Sequence, residues 1–491
     1  MPTRSDRLTA LDSSFLHLED GVSHMHVASV TMFEGPPPSY EDLLEHIEAR
    51  LSLVPRFRQR LRFVPFGQGR PVWVDDPHFN LEYHVRITAL PPPGSEQQLK
   101  NLASRVFAQQ LDRSKPLWEI WLVHGLDREL ADADSPPRFA LLSKTHHCLV
   151  DGVAGVDITA VLFDTAPVPE TPPASLSWEA HPEPTSMQLL GEALIERATE
   201  PAEVVRSVRA ALRSPRRIAR AALDATASVG ALVRTGMAAP RTPLNVDIGP
   251  HRRFDWVRTD LDQLKGVKNE LGGTVNDVVL AAVSGGLRRF LEERGEPVGD
   301  LELRAMVPVS VRAPDEYGQT GNHVAAMMAP LPIFEPDPVE RLKFLTSALD
   351  HLKHSGQAVG AQVLTELSGF APPTVLAQAA RLQSRQRFFN LVVTNVPGPQ
   401  MPLYVLGRQL LDVFPLAPLA KRQTVCIAVM SYNGKMNFGL LGDFDATPDL
   451  NVLARGIADS LAELHAAAGL PEPKRARVSK ARRSDSTVAR S

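Results

Sequence analysis

The heptapeptide HHCLVDG, His146 to Gly152, places two imidazoles, a thiol, a carboxylate and a glycine within one short stretch. An imidazole titrates near neutral pH, so it takes a proton from a hydroxyl and later returns it to a leaving group. An alcohol attacking a carbonyl, as in acyl transfer, needs that proton traffic. Asp151 is expected to orient the turn by pairing with an arginine or a backbone amide, and Gly152 to admit a backbone angle or close approach denied to other residues. His146 is expected to contact substrate or to hold ring orientation. Cys148 has the chemistry of a nucleophile, but a small buried filler is the preferred reading. Taken singly, a histidine near a strand end is a satisfied polar residue and Asp-Gly is a turn. Their conjunction carries the inference.

The motif needs elements to position it. Phe139 to Thr145 (FALLSKT) and Leu117 to Val123 (LWEIWLV) have the apolar and aromatic content of strands. The first of these feeds the histidines into a turn, and the helix-like VAGVDITAVLF follows, so an imidazole is expected at the mouth of a cleft. Upstream, Ser39 opens a capping-box pattern with Asp42, and Leu43, Leu44, Ile47 and Leu51 share one helical face. Thr165 to Thr185 is too rich in proline for a packed element and marks a domain exit. Met187 to Leu232 has apolar residues at helical spacing, such as Val204, Val205, Val208 and Leu212, and predicts helices bridging two domains.

Beyond the bridge, Val275 to Leu291 predicts a helix through Val278, Val279, Ala282, Val283, Leu287 and Phe290. Leu303, Ala305, Val307, Val309 and Val311 alternate as a strand, and Thr424 to Met430 pairs with Met436 to Leu441 across the hairpin dipeptide Asn433-Gly434. The expected class is α/β: a domain over 1–165 bearing the histidines, a linker over 166–250, a second mixed domain over 251–470 and a disordered basic tail over 471–491.

Composition bounds the function. The 491 residues carry a net charge of -3, with 22% charged and 43% hydrophobic, as in a soluble globular chain of two or three domains with no electrostatic reason to bind nucleic acid. The two cysteines, Cys148 and Cys426, lack metal-ligand spacing, and a reduced intracellular protein is expected. The first twenty residues carry acids where a secretory signal needs an apolar core, and no apolar run approaches about 18 residues, so neither export nor membrane spanning is expected. Arg206, Arg209, Arg213, Arg216, Arg217 and Arg220 make the linker basic. A solvated tether is the preferred reading, with anionic lipid as the alternative contact. The tail at Lys474 to Arg483 lacks apolar periodicity.

The HHxxxDG pattern is shared by the chloramphenicol acetyltransferase-like superfamily, which includes peptide condensation domains, plant alcohol acyltransferases and bacterial wax ester synthase/diacylglycerol acyltransferases. The chain resembles the last group at LTALDSSFLHLE (Leu8 to Glu19), PLW (Pro116, Leu117, Trp118), ND (Asn276, Asp277), PVSVR (Pro308 to Arg312), NVPGP (Asn395 to Pro399) and SYNGKMNFGLLGD (Ser431 to Asp443). These motifs run in the family's order from about Leu8 to Leu470. The plant DFGWG signature is absent, no flanking carrier or adenylation module is expected, and Thr394 stands where serine often precedes NVPGP.

The resemblance implies two chloramphenicol acetyltransferase-like mixed-sheet domains with the active site in a tunnel between them. It implies transfer of a fatty acyl group from acyl-CoA to diacylglycerol, or to a long-chain alcohol to make a wax ester, with His147 as base. No metal, cofactor or acyl-enzyme is implied, acyl-CoA being a substrate, and no obligate protein partner. A cytoplasmic enzyme peripheral to the membrane or to lipid droplets fits these substrates. A noncatalytic lipid-binding protein on the same scaffold is the alternative, against which the intact His147, Asp151 and Gly152 stand.

The remaining motifs divide by chemistry. Thr274 and Asp277 form a capping-box pattern worth about 1 kcal/mol, which accounts for Asp277. Asn276 opens the same helix and is the expected donor to an oxyanion or a substrate. Trp118, with Pro116 and Leu117, is expected to pack core. Asn395, Pro397 and Gly398 are expected to fix a rigid strand exit where one half crosses onto the other.

Overall fold

A computed structural model of the protein describes residues 6–127, 137–149, 162–168, 178–196, 239–310, 324–354 and 388–471. The first half forms α1 (Ala10–Leu18), β1 (His26–Phe33), α2 (Tyr40–Glu48), β2 (Gln59–Arg62), β3 (Val72–Asp75), α3 (Leu81–His84), β4 (Val85–Ala89), α4 (Glu96–Ala108), β5 (Trp118–Leu126) and β6 (Arg138–His146). The second half forms β7 (Arg252–Asp260), α5 (Leu261–Leu271), α6 (Val275–Glu293), β8 (Glu302–Ser310), β9 (Val324–Pro332), α7 (Pro338–His354) and β10 (Leu391–Pro397). It continues with β11 (Tyr404–Val405), β12 (Arg408–Leu416), β13 (Val425–Tyr432), β14 (Lys435–Asp443) and α8 (Leu450–Ala467).

Local chemistry explains the boundaries. Ser39 Oγ accepts from the Asp42 amide at 3.0 Å, satisfying one orphan donor of α2, which buries Leu43 and Ile47. At α6 the capping box is reciprocal, Thr274 taking the Asp277 amide and Asp277 Oδ2 taking the Thr274 amide at 2.8 Å. β6 is buried from Phe139 through His146, because one face packs on α1 and α2 and the other faces the second half. Asn433 and Gly434, both at positive φ, turn β13 back into β14.

Two six-stranded mixed sheets result, ordered β11-β12-β1-β6-β5-β4 and β7-β14-β13-β10-β8-β9. The outer face of the second is covered by α5 to α8 around Val278, Val283, Leu287 and Phe290. A shared core lies between the halves, where α4 brings Phe107 against Phe254 and where Trp256 of β7 stacks on Phe414 of β12 at 4.5 Å.

The first sheet is completed by strands from the far end of the chain. β12 pairs antiparallel with β1, from Ala28↔Leu416 to Phe33↔Leu410, although β10 before it and β13 after it belong to the second sheet. The expected division at residue 251 is therefore not a division between sheets, since residues 404–416 cross over. Two glycines permit this crossing: a Cβ on Gly398 would stand 2.2 Å from the Ser431 carbonyl oxygen, and one on Gly439 would stand 1.8 Å from that of Pro415. Asp412 of β12 is buried and pairs with Lys435 of β14 at 2.9 Å and Arg258 of β7 at 3.2 Å, tying the crossing strand to the second sheet.

Of the predicted bridging helices, residues 186–196 are helical and bury Leu189 against Val72 and Val74. The rest of that stretch, with its arginines, and the basic tail lie outside the described residues. Gly398→Ala forces a Cβ onto backbone rather than onto a flexible side chain. Overpacking of this kind costs about 1–3 kcal/mol, so the variant should melt several degrees below wild type in a calorimetric scan, whereas Gly299→Ala, with open space at its Cβ, should melt with wild type.

Candidate active site

β6 carries His146 as its last residue and releases His147 into a turn closed by the Leu149 amide donating to the His146 carbonyl at 2.9 Å. Both histidine backbones are pinned. The His146 amide donates to Leu117 O at 2.9 Å, and the His147 amide donates to Met25 O at 2.8 Å. Strand alternation then sends the two rings to opposite sides.

His146 turns into the core. Its Nδ1 accepts from the Cys148 amide at 3.1 Å, so the ring proton sits on Nε2, which lies 3.4 Å from Glu19 Oε2. Glu19 Oε1 lies 3.3 Å from His26 Nε2, and Arg113 Nε donates to Glu19 Oε2 at 2.9 Å. Burial alone would raise the Glu19 pKa, but the neighbouring His146 and His26 rings and the hydrogen-bonded Arg113 guanidinium outweigh it and hold the carboxyl well below the usual range. Burial pushes His26 down to about 4 despite the pull of Glu19, so its ring stays neutral at physiological pH.

His147 turns the other way, onto the wall of a cavity, with its ring stacked on Phe15 at 4.0 Å. Burial lowers its pKa to about 4, so the ring is neutral and its lone pair is available at physiological pH. Cys148 is buried, and burial together with Asp12 and Glu19 pushes its thiol well above the ordinary value. A thiol held protonated in this way is filler, not a nucleophile. Asp151 and Gly152 lie outside the described residues.

The cavity has a volume of about 670 Å³ and lies between the sheets. Val27, Ser29 and Thr31 of β1 and Ser143 and Thr145 of β6 form one wall. Met306 of β8, Met328 of β9 and Val392, Thr394 and Val396 of β10 form the other. The lining is mostly apolar and suits a long hydrocarbon chain.

The other motifs support the site from outside the cavity. Trp118 is buried, donates from Nε1 to Phe57 O at 2.8 Å and stacks on His84 at 4.6 Å; its neighbour Leu117 supplies the carbonyl that holds His146, and Pro116 O accepts from the Trp118 amide. Asn276 is half-buried and accepts from Asn395 Nδ2 at 3.4 Å, on the side of β10 turned away from Thr394 and Val396. The expectation that Asn276 meets an oxyanion is corrected by this placement, because the alternation of β10 keeps both asparagines out of the cavity wall. The ND and NVPGP motifs thus meet each other, and Pro397 and Gly398 pack on β13 at Ser431. Glu19, His26 and Arg113 were not expected. The likeness at LTALDSSFLHLE ends on Glu19, but spacing gives no sign that it reaches His146.

Comparison with known proteins agrees with this geometry. The wax ester synthase/diacylglycerol acyltransferase catalytic domain matches residues 8–279, and the C-terminal domain of the same family matches residues 320–465. This chain belongs to the wax ester synthase/diacylglycerol acyltransferase family of O-acyltransferases. A family relative from Mycobacterium tuberculosis, named probable diacylglycerol O-acyltransferase tgs1, is 36% identical over 94% of this chain and 96% of its own length. The wax ester synthase/diacylglycerol acyltransferase of Marinobacter aquaeolei VT8 superposes with a TM-score of 0.65 at 28% identity, over 94% of this chain and all of that one. The starter condensation domain of rhizomide synthetase shares the fold, with a TM-score of 0.57 at 12% identity over 95% of each chain.

In this family member the carboxylate of Glu19 is the hub beneath the histidines. Glu19→Gln removes the counter-charge of Arg113, whose side chain is 32% exposed and can turn to water, so the loss of stability is about 1 kcal/mol. Urea denaturation should show that loss, and kcat for the acyl transfer proposed below should fall at least about tenfold as the His146 ring loses its charged partner.

Proposed function

We propose that the protein transfers a fatty acyl group from acyl-CoA to diacylglycerol, making triacylglycerol. The observation that carries this reading is His147, neutral and pinned by its backbone, on the wall of a long apolar cavity. The relatives named as diacylglycerol O-acyltransferases favour that acceptor over a long-chain alcohol.

The acceptor hydroxyl lies against His147, which takes its proton as the oxygen attacks the thioester carbonyl. The tetrahedral species then collapses, the C–S bond breaks, and the proton held by His147 passes to the departing CoA thiolate. The ring ends neutral, as it began, and no acyl-enzyme is needed. General-base help of this kind is worth roughly 10²–10⁴-fold, and holding both substrates in one cavity contributes the rest through alignment.

No helix among the described residues is long and apolar enough to cross a membrane. The acceptor is insoluble in water, so we place the enzyme at a membrane or lipid-droplet surface, binding peripherally. Purified protein should consume palmitoyl-CoA with diacylglycerol, and faster than with hexadecanol when the two compete. His147→Ala should lower turnover at least about 10²-fold with an unchanged thermal melt. Undiminished turnover in that variant contradicts the mechanism, and preference for hexadecanol replaces the acceptor.

A further inference from the structure

The lining of the cavity changes character at one mouth. Lys421 and Arg422 are the only charged groups among its described lining residues, and Gln423 follows them. All three stand in the turn between β12 and β13. This mouth opens at the His147 end of the first sheet, because Ser23 Oγ donates to Leu419 O at 2.8 Å, just before Met25 receives the His147 amide. The cavity runs the other way along β1, past Ser29 and Thr31, to the apolar end at Phe163, Leu403 and Tyr432.

The turn is built to hold its shape. Arg422 has a φ of +60°, a conformation that a residue with a Cβ adopts only when its surroundings impose it. Those surroundings are a buried amide pair. Asn245 Nδ2 donates to Arg422 O at 3.3 Å and to Asn390 O at 3.2 Å, while Asn390 Nδ2 donates to Asn245 Oδ1 at 2.6 Å. The Gln423 amide closes the turn on Ala420 O at 3.1 Å, and the Thr424 amide reaches Leu244 O at 3.0 Å. Gln423 is 6% exposed, yet its Oε1 has no partner. A buried acceptor left empty is unfavourable, so a donor that arrives with a ligand is favoured.

We propose that this turn seats the phosphate-bearing end of acyl-CoA, Lys421 and Arg422 pairing with its phosphates and Gln423 Oε1 accepting an amide N–H of the arm that leads to the thioester. The proposal rests on the acyl-CoA reading above. Each cation already has a carboxylate, Asp20 at 2.5 Å from Lys421 and Asp247 at 3.5 Å from Arg422. Asp20 is also occupied by the Val22 and Ser23 amides, and Asp247 is 92% exposed on its side chain. Exposed pairs of this kind are weak, and a multiply charged phosphate competes well for both cations.

Calorimetric titration of the full-length protein with CoA and with dephospho-CoA tests the seat without turnover. Arg422→Gly removes the guanidinium at a φ that glycine adopts freely, and Lys421→Ala removes the second cation. Each should weaken CoA binding about tenfold or more and flatten its salt dependence. In turnover, each should raise KM for palmitoyl-CoA by that factor but KM for palmitoyl-pantetheine, which lacks the nucleotide, by less than about twofold. Gln423→Leu should raise KM for both donors, because both carry the amides. Unchanged CoA binding in Arg422→Gly and Lys421→Ala overturns the proposal, as does an equal KM rise for both donors. Loss of binding to phosphatidylglycerol vesicles with CoA binding intact assigns the turn to lipid and also overturns it. If wild type binds CoA, the variants do not, and diacylglycerol is never acylated, the seat stands and the acceptor reading fails.

Discussion

A carboxylate stays charged inside a protein only with compensating polar partners around it, and Glu19 obliges the surrounding structure to supply them. Its oxygens draw in His26 from the start of β1, His146 from the end of β6 and Arg113 from the segment before β5. These anchor three neighbouring parts of the first sheet to α1, the helix that lays Phe15 against the His147 ring. The His147 imidazole is thus held through its neighbour. His146 carries the polar connection, and His147 is left with a neutral ring facing apolar space.

The cavity depends on a second constraint, the crossing of β12. A strand encoded in the second half closes the first sheet beside β1 and contributes Val413 and Pro415 to the wall opposite Met306 and Val392. Close backbone contact between Gly439 and Pro415 and the buried Asp412 hold the two sheets at a fixed separation. The same chain then enters the Ala420–Gln423 turn, so one crossing segment forms both the wall for the acyl chain and the basic mouth.

Periodicity located most elements well. LWEIWLV and FALLSKT became β5 and β6, the pattern from Val275 became α6, and the Asn433-Gly434 hairpin formed between β13 and β14. Apolar alternation reports that a strand has a buried face, but it does not report which sheet the strand joins. Arg408–Leu416 also carries Asp412 and Pro415, which blunt its strand signal. Asn276 illustrates the converse: any helix start offers donors to negative charge, and the alternation of β10 turned this one away from the cavity. Glu19 was legible only as the end of a familiar stretch, since its contacts join parts of the chain too distant for spacing to connect.

In the proposed mechanism His147 meets the acceptor hydroxyl as a neutral ring whose pKa burial has lowered to about 4. A lowered histidine pKa extends the neutral form toward acid, so base catalysis should persist below the ordinary value of about 6.5 and fade only as pH approaches 4. The pH dependence of kcat/KM reports the free enzyme's ionisations and tests this most directly. Measured from pH 8 to 5.5, it should show a plateau with no inflection. A fall of one log unit per pH unit below 6.5 would instead show a solvated, ordinary imidazole at the site and rule out a buried neutral base.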